Sequence, residues 1–331
     1  TLRQINKVIC ELRELGTEQV SISGGEPLLR QDLFEILKSI ERQEIRISSI
    51  FTNGFLINEG FISKLKDLRS KINLNISLDG ISPEAMVIRG FNEHSAQKTY
   101  LNTLIRKIKL ARSMELPVRI NTILNRHNID ELERMYEFLR KDLKGIAWSI
   151  GFPRLLGSCL YNKRQVFIKR KEAFNSCKKL IERHLECLFM SKASIDLKVQ
   201  YFFHKKYLNN LEFYTNDLSI CAYENRNAMC CIKPNGDVLP CPVLLNFVIG
   251  NVLEEKLNSL WKSVKMRKIK ELKIKDLGKC GNCEHVALCG GGCRASAYVN
   301  FKELAREDLL ACSAMDYFEN QIKPLLREYE R

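Results

Sequence analysis

The chain has 331 residues, of which 45% are hydrophobic and 28% charged, with a formal net charge of +14 and 13 cysteines. That length fits two domains, one of them large. No apolar run is long enough to span a bilayer as a helix. An odd cysteine count in a long chain argues against a small disulfide framework and points to a reducing cytoplasm. The positive charge suits an anionic partner, such as an acidic peptide or a phosphorylated small molecule. Its dense stretches, 163–179 and 262–275, are interrupted by apolar residues at helical spacing, among them Val264, Ile269 and Leu272. They read as amphipathic helices with solvated basic faces. No nucleic-acid signature accompanies them, so nucleic acid is not an expected partner.

In chain order, Leu2, Ile5, Val8, Ile9, Leu12 and Leu15 mark a helix that Gly16 stops, with Thr1 as its N-cap. Strands are predicted over 20–23, 45–51, 72–78, 117–124 and 146–150. Between them, helices are predicted around Leu33–Ile40 and Phe61–Leu68, then over 99–114 and 130–140. This alternation implies parallel βαβ units with right-handed crossovers. In the third strand Ile72, Leu74, Ile76 and Leu78 face one way, and Asn73, Asn75 and Ser77 face the other. Arg119 and Asn121 repeat the polar face on the next strand. A fully buried parallel strand reads apolar on both faces, so this pattern means either a polar lumen or a wet edge strand. Residues 152–220 break the alternation, with a long amphipathic helix predicted over 167–188. From Cys221 onward the density of glycine, proline and cysteine signals a second, loop-rich domain.

Seven cysteines have ligand-like spacing. Cys221 is followed by 14 residues, Gly236, four residues and Cys241; then come Cys280-X2-Cys283-X5-Cys289-X3-Cys293 and, 18 residues on, Cys312. Thiolates this dense reach one centre because short loops fold back, and spacing alone fits zinc as well as iron–sulfur. Pro234-Asn235-Gly236-Asp237 reads as a hairpin turn that delivers Cys241 to a strand end. Gly290-Gly291-Gly292 lets backbone amides approach closely. Cys10, Cys159, Cys177 and Cys187 read as structural. Ser23-Gly24-Gly25-Glu26-Pro27 follows a strand and precedes a helix, with two glycines for close backbone approach and Glu26 as a negative charge at a strand's C-terminal end.

The cysteine pattern, with Gly250-Asn251-Val252 and Leu260-Trp261 between its halves, resembles the SPASM domain. Gly24-Gly25-Glu26-Pro27 resembles the SAM-binding motif of radical S-adenosyl-L-methionine (SAM) enzymes, and Thr52-Asn53-Gly54 and Ser77-Leu78-Asp79-Gly80 match strand ends of that family. The resemblance implies an α/β fold, a partial (β/α)6 TIM-like barrel lacking its first strand over 1–152. A helical connecting segment over 153–220 and a small cysteine-rich SPASM domain with a C-terminal helix over 221–331 would follow. It implies SAM contacts at Gly24, Gly25, Glu26, Pro27, Asn53, Ser77 and Arg89. It implies two auxiliary 4Fe–4S clusters, the first on Cys221, Cys241 and Cys293 and the second on Cys280, Cys283, Cys289 and Cys312. The fourth position of the first would be open or filled by Cys230 or Cys231.

The family's Cys-X3-Cys-X2-Cys motif lies on a loop ahead of the first helix, and no such triplet occurs in this sequence. The expectation is therefore an N-terminally truncated chain, inactive as given, whose SAM-binding cluster would need the missing segment. A degenerate relative is the other reading. The intact protein would draw one electron from a donor such as flavodoxin or ferredoxin. It would generate a 5′-deoxyadenosyl radical and modify a substrate, a peptide or protein as in ribosomal peptide maturases. A small-molecule or tetrapyrrole cofactor maturase and a non-catalytic iron–sulfur or zinc scaffold are the alternatives. No catalytic acid or base is read from the sequence, and the five histidines share no ligand spacing.

Overall fold

The computed structural model describes residues 1–192, 195–215, 217–219, 221 and 228–329. They form two compact units, one of residues 1–153 and 164–200, the other of 154–163 and 201–331. The expected connecting segment 153–220 is thus shared between the units.

The first unit opens with α1 (Leu2–Glu14), whose N-terminus is closed by Thr1 and Gln4 in a capping box. Helix and strand then alternate: β1 (Gln19–Ile22), α2 (Leu33–Arg42), β2 (Arg46–Thr52), α3 (Glu59–Lys66), β3 (Asn73–Ser77), α4 (His94–Ser113), β4 (Val118–Ile123), α5 (Leu132–Asp142) and β5 (Ala147–Gly151). After the one-turn α6 (Lys163–Val166), α7 (Arg170–Phe189) leads to β6 (Asp196–Val199). The six strands lie side by side in chain order, and each neighbouring pair is parallel. β6 was not legible in the sequence. Its Leu197 and Val199 are two buried apolar positions in a four-residue strand, too few to show a period.

One face of this sheet is apolar. Ile50, Leu74, Ile76, Ile120, Trp148 and Leu197 are all buried, as are helix residues such as Leu37, Ile62, Leu104, Met135 and Leu180. Two polar atoms on this face are satisfied across strands: Trp148 Nε1 donates to Thr122 Oγ1 (2.9 Å), which donates to the Leu78 carbonyl (2.6 Å). The other face carries a row of hydrogen-bonded polar side chains. Ser49 donates to Ser21 (3.0 Å), Asn121 Nδ2 donates to Asn75 Oδ1 (3.2 Å), and Arg119 donates to Ser149 (3.0 Å) and Asp196 (3.1 Å). β3 pairs with both β2 and β4. It is an interior strand, and the edge-strand alternative for its polar face falls.

Helices α5 and α7 are clamped through Glu137, which takes hydrogen bonds from Arg140 (2.6 Å) and from two nitrogens of Arg183 (3.0 and 2.8 Å), with Lys141 at 3.3 Å. Burial works against its ionisation, but the hydrogen bonds from Arg140, Arg183 and Lys141 outweigh it and hold the carboxyl down to about 2. Beside the clamp, burial pushes His184 down to about 4, so its ring stays neutral, with Nδ1 3.1 Å from the Tyr136 hydroxyl.

The second unit carries β7 (Phe203–His204) and a three-stranded antiparallel sheet in the order β10 (Gly250–Asn251), β9 (Asp237–Leu239), β8 (Cys231–Ile232). The turn between β8 and β9 is closed by Gly236 N to Lys233 O (2.9 Å) and needs φ +91° at Gly236. Short helices follow: α8 (Leu257–Trp261), α9 (Val264–Lys270), α10 (Val286–Cys289), α11 (Arg294–Phe301), α12 (Leu309–Tyr317) and, after a π turn, α13 (Lys323–Glu328). No described helix is long and apolar enough to cross a membrane.

The Glu137 clamp predicts an acid-sensitive stability term. A depressed carboxyl contributes fully above its ordinary pKa of 4.5 and loses that contribution as pH falls through about 2. Discounted for solvent screening of a partly exposed pair, Glu137→Gln is expected to cost about 1–2 kcal/mol at neutral pH. Urea titrations of both proteins at neutral pH and near pH 2 check it: the difference should shrink toward zero in acid.

Candidate functional site: parallel-strand ends and two thiol sets

The C-terminal end of β1 runs into Gly24 and Gly25. Gly24 has φ +140°, a conformation that side-chain-bearing residues avoid, and a Cβ added at either glycine would meet no heavy atom within 4 Å. The backbone is therefore bare on that side, as close ligand approach requires. Glu26 is half-buried and already engaged. Its Oε1 accepts from Leu28 N (3.1 Å) and Thr52 Oγ1 (2.7 Å), and its Oε2 accepts from Asn53 N (2.7 Å). A carboxylate has about four acceptor positions, so one remains for a ligand. Pro27 is buried at the start of a 3-10 turn. Asn53 spends its Oδ1 on Phe55 N (2.9 Å), and the neighbouring Gly54 is forced: a Cβ there would lie 2.8 Å from Leu104 and 2.9 Å from Ile76.

At the next strand end, Ser77 sits half-buried on the polar face, in register with Asn121. Arg89 forms an ion pair with Asp79, which is 1% exposed and also accepts from Ile123 N (3.0 Å). The expected ligand-binding guanidinium thus has an internal partner, with 28% of its side chain exposed. Glu131 fixes the same loop by accepting from Ile81 N (2.8 Å) and Ser82 N (3.2 Å). Asp79 was within the quoted Ser77-Leu78-Asp79-Gly80 motif, so its type and place were visible. Thr52 was likewise visible within Thr52-Asn53-Gly54, whereas Glu131 carried no signal, because its role depends on contacts between distant segments.

All thirteen cysteines are free. In the second unit, seven of them fall into two sets. Burial first, then Cys293 and Cys241, pushes the Cys221 thiol up to about 11, and burial with Cys293 also raises Cys241. In the other set, burial together with Cys280 and Cys312 pushes Cys289 up to about 12. Burial raises Cys280, with Cys283 contributing, and burial with Cys280 and Cys283 raises Cys312. The SPASM resemblance implies the same two groupings. Burial and Cys231 act on Cys230, pushing it up to about 11. Burial alone raises the enclosed Cys177.

Among the described residues, no three His, Cys, Asp or Glu side chains converge tightly enough to hold a metal ion as they stand. Burial disfavours the anionic sulfur at these thiols, and local backbone donors oppose that effect. Backbone N–H groups of Val243 and Leu244 are directed at Cys241, that of Arg294 at Cys221, and that of Gly291 at Cys289. Gly290, Gly291 and Gly292 all have positive φ (+60°, +81°, +71°), and a Cβ at Gly292 would lie 2.7 Å from Asp308. Asp308, 1% exposed, joins the sets: Oδ2 accepts from Cys293 N (2.9 Å) and Tyr201 OH (3.0 Å), and its carbonyl accepts from Cys312 N (2.9 Å). Tyr201 and Asp308 had no legible signal in the sequence.

A family model described as the radical SAM superfamily matches residues 1–139, and one described as an iron-sulfur cluster-binding domain, SPASM, matches residues 221–284. Residues 1–139 thus carry a radical SAM domain. The second unit carries the SPASM domain. Among curated relatives, AdoMet-dependent heme synthase of Methanosarcina barkeri is 27% identical over 93% of this chain and 86% of its own length. PqqA peptide cyclase of Bradyrhizobium diazoefficiens is 25% identical over 100% of this chain and 82% of its own. Among solved structures, anSMEcpe with bound AdoMet and the Kp18Cys peptide superposes with a TM-score of 0.74 at 18% identity, covering 99% of this chain and 90% of that one. It supports the fold: a mostly parallel sheet of the partial TIM-barrel kind.

Because Glu26 ties its loop to the end of β2 through two bonds and closes its own turn with a third, Glu26→Ala should cost about 2–4 kcal/mol. Chemical denaturation checks it; a change below about 0.5 kcal/mol would mean that the three contacts are not stabilising in solution.

Proposed function

We propose that this radical SAM/SPASM protein binds SAM along Gly24, Gly25, Glu26 and Pro27, holds two auxiliary 4Fe–4S clusters on its seven paired-off cysteines, and modifies a peptide or protein substrate. The observation that carries the reading is the partition of Cys221, Cys241 and Cys293 from Cys280, Cys283, Cys289 and Cys312, in the unit matched by an iron–sulfur family. That match favours iron–sulfur over zinc, which the spacing alone left open.

When bound, SAM and iron–sulfur clusters supply one-electron chemistry that yields a hydrogen-abstracting radical. The chain's own residues do the rest. Gly24 and Gly25 leave the backbone bare for the SAM methionyl group, and the spare acceptor position of Glu26 takes its ammonium. Asn53, Ser77 and Arg89 stand at neighbouring strand ends for the carboxylate or ribose, with Asp79 and Glu131 fixing the loop that carries Arg89. The polar face of Asn75, Arg119, Asn121 and Ser149 offers hydrogen bonds to a substrate over the sheet. Backbone amides around Cys221, Cys241 and Cys289 stabilise thiolate charge. Thirteen free cysteines suit a reducing cytoplasm, and a flavodoxin- or ferredoxin-type donor is the expected electron source.

The peptide reading is supported by relatives named PqqA peptide cyclase and mycofactocin maturase, and by the +14 charge, which suits an acidic leader segment. The relative named AdoMet-dependent heme synthase favours a second reading, a tetrapyrrole substrate.

Three measurements test this. After anaerobic reconstitution, iron and sulfide analysis should find two clusters' worth, with Cys241→Ser and Cys289→Ser each losing its own share; a protein that retains zinc and no sulfide would sink the assignment. Gly25→Val should leave stability within about 1 kcal/mol, since its Cβ enters open space, while SAM affinity by calorimetry falls at least about tenfold. Fluorescence anisotropy with an acidic, leader-like peptide should show saturable, salt-sensitive binding. A Soret shift on titration with coproporphyrin and no peptide binding would instead select the tetrapyrrole reading.

A further inference from the structure

Arg294 is the first residue of α11, immediately after Cys293, and is 3% exposed. Its backbone N–H points at the Cys221 sulfur. Its guanidinium donates to the carbonyls of Leu304 (2.7 Å), Arg306 and Gly291. Gly291 in turn directs its N–H at the Cys289 sulfur. One residue thus reaches the first thiol set through its main chain and the second through its side chain. Its Nε is buried without a hydrogen-bond partner, and among the described residues no carboxylate forms an ion pair with it. Asp308, a buried anion of the same unit, is spent on Cys293 N, Tyr201 and the first turn of α12.

A buried guanidinium satisfied only by carbonyls keeps its full charge, and low surrounding polarisability extends the reach of that charge. Arg294 follows Cys293 of one set directly and bonds to Gly291, two residues from Cys289 of the other, so its charge is fixed beside both. From this placement we infer that Arg294 is a positioning residue shared by both cysteine sets, a fixed cation that biases the electron affinity of each bound cluster. The inference rests on the proposed assignment of these cysteines to clusters. One-electron reduction adds a negative charge to a cluster, so a cation fixed beside it stabilises the reduced state and raises the potential. The orphaned Nε–H is a donor that an anionic sulfur beside it would satisfy. Fold support alone would require the shape of the side chain but not its charge.

The test is an EPR-monitored redox titration of the anaerobically reconstituted protein, comparing wild type, Arg294→Gln, Arg294→Lys and the exposed neighbour Lys279→Gln. In Arg294→Gln both auxiliary-cluster midpoints should move to more negative potential, and Arg294→Lys should recover most of the shift. Lys279→Gln should leave both in place, because an exposed charge is screened by solvent and salt. Iron lost from Arg294→Gln but kept by Arg294→Lys also supports the charge role. Full loading of Arg294→Gln with unchanged midpoints, a shift at one cluster only, or iron loss from both variants overturns it. A wild-type protein that takes up no iron and sulfide fails the cluster assignment itself, a result separate from any of these.

Discussion

A strand buried in the middle of a sheet must satisfy every polar group it carries, and that constraint organises the first unit. β3 bears asparagine and serine on one face although it is paired on both sides. Asn75 survives burial by accepting from Asn121, and the same row continues through Arg119, Ser149 and Asp196. The polar row is affordable because each member has a partner. The result is a sheet with one face that packs as core and one that keeps hydrogen-bonding capacity.

The strand ends obey the same rule with charged groups. Glu26 and Asp79 are carboxylates that each accept a backbone N–H from the end of the next strand, Asn53 and Ile123 respectively. Each therefore braces a loop as well as lending charge to the end of the sheet. A binding surface made of loops gains rigidity when the charged residues themselves tie one loop to another.

The second unit faces a different demand. Its thiols repel one another when ionised. The glycine run at 290–292, the buried Asp308 and the buried Arg294 answer it: close backbone approach, a shared acceptor and a fixed positive charge. A hydrogen bond from Cys293 N and one from Cys312 N both end on Asp308, so a cysteine from each set hangs on one residue.

Much of this was written in local sequence. Helical and strand periods, the Thr1 cap, the Asn235-Gly236 turn and the polar face of β3 depend on residues near one another, and each is present in the structure. The sheet neighbours, the fixing of Glu26 by Thr52 and Asn53, the Asp79–Arg89 pair, the sixth strand and the joint placement of Arg294 and Asp308 were not legible. Those contacts join segments tens of residues apart, and they form only because burial in a common core leaves each polar group one partner within reach. Sequence alone determined which chemistry the chain carries and roughly where it lies on the elements. Only the tertiary structure decided which of those groups are free to meet a ligand and which are spent on holding the protein together, because hydrogen-bond capacity is allotted in space.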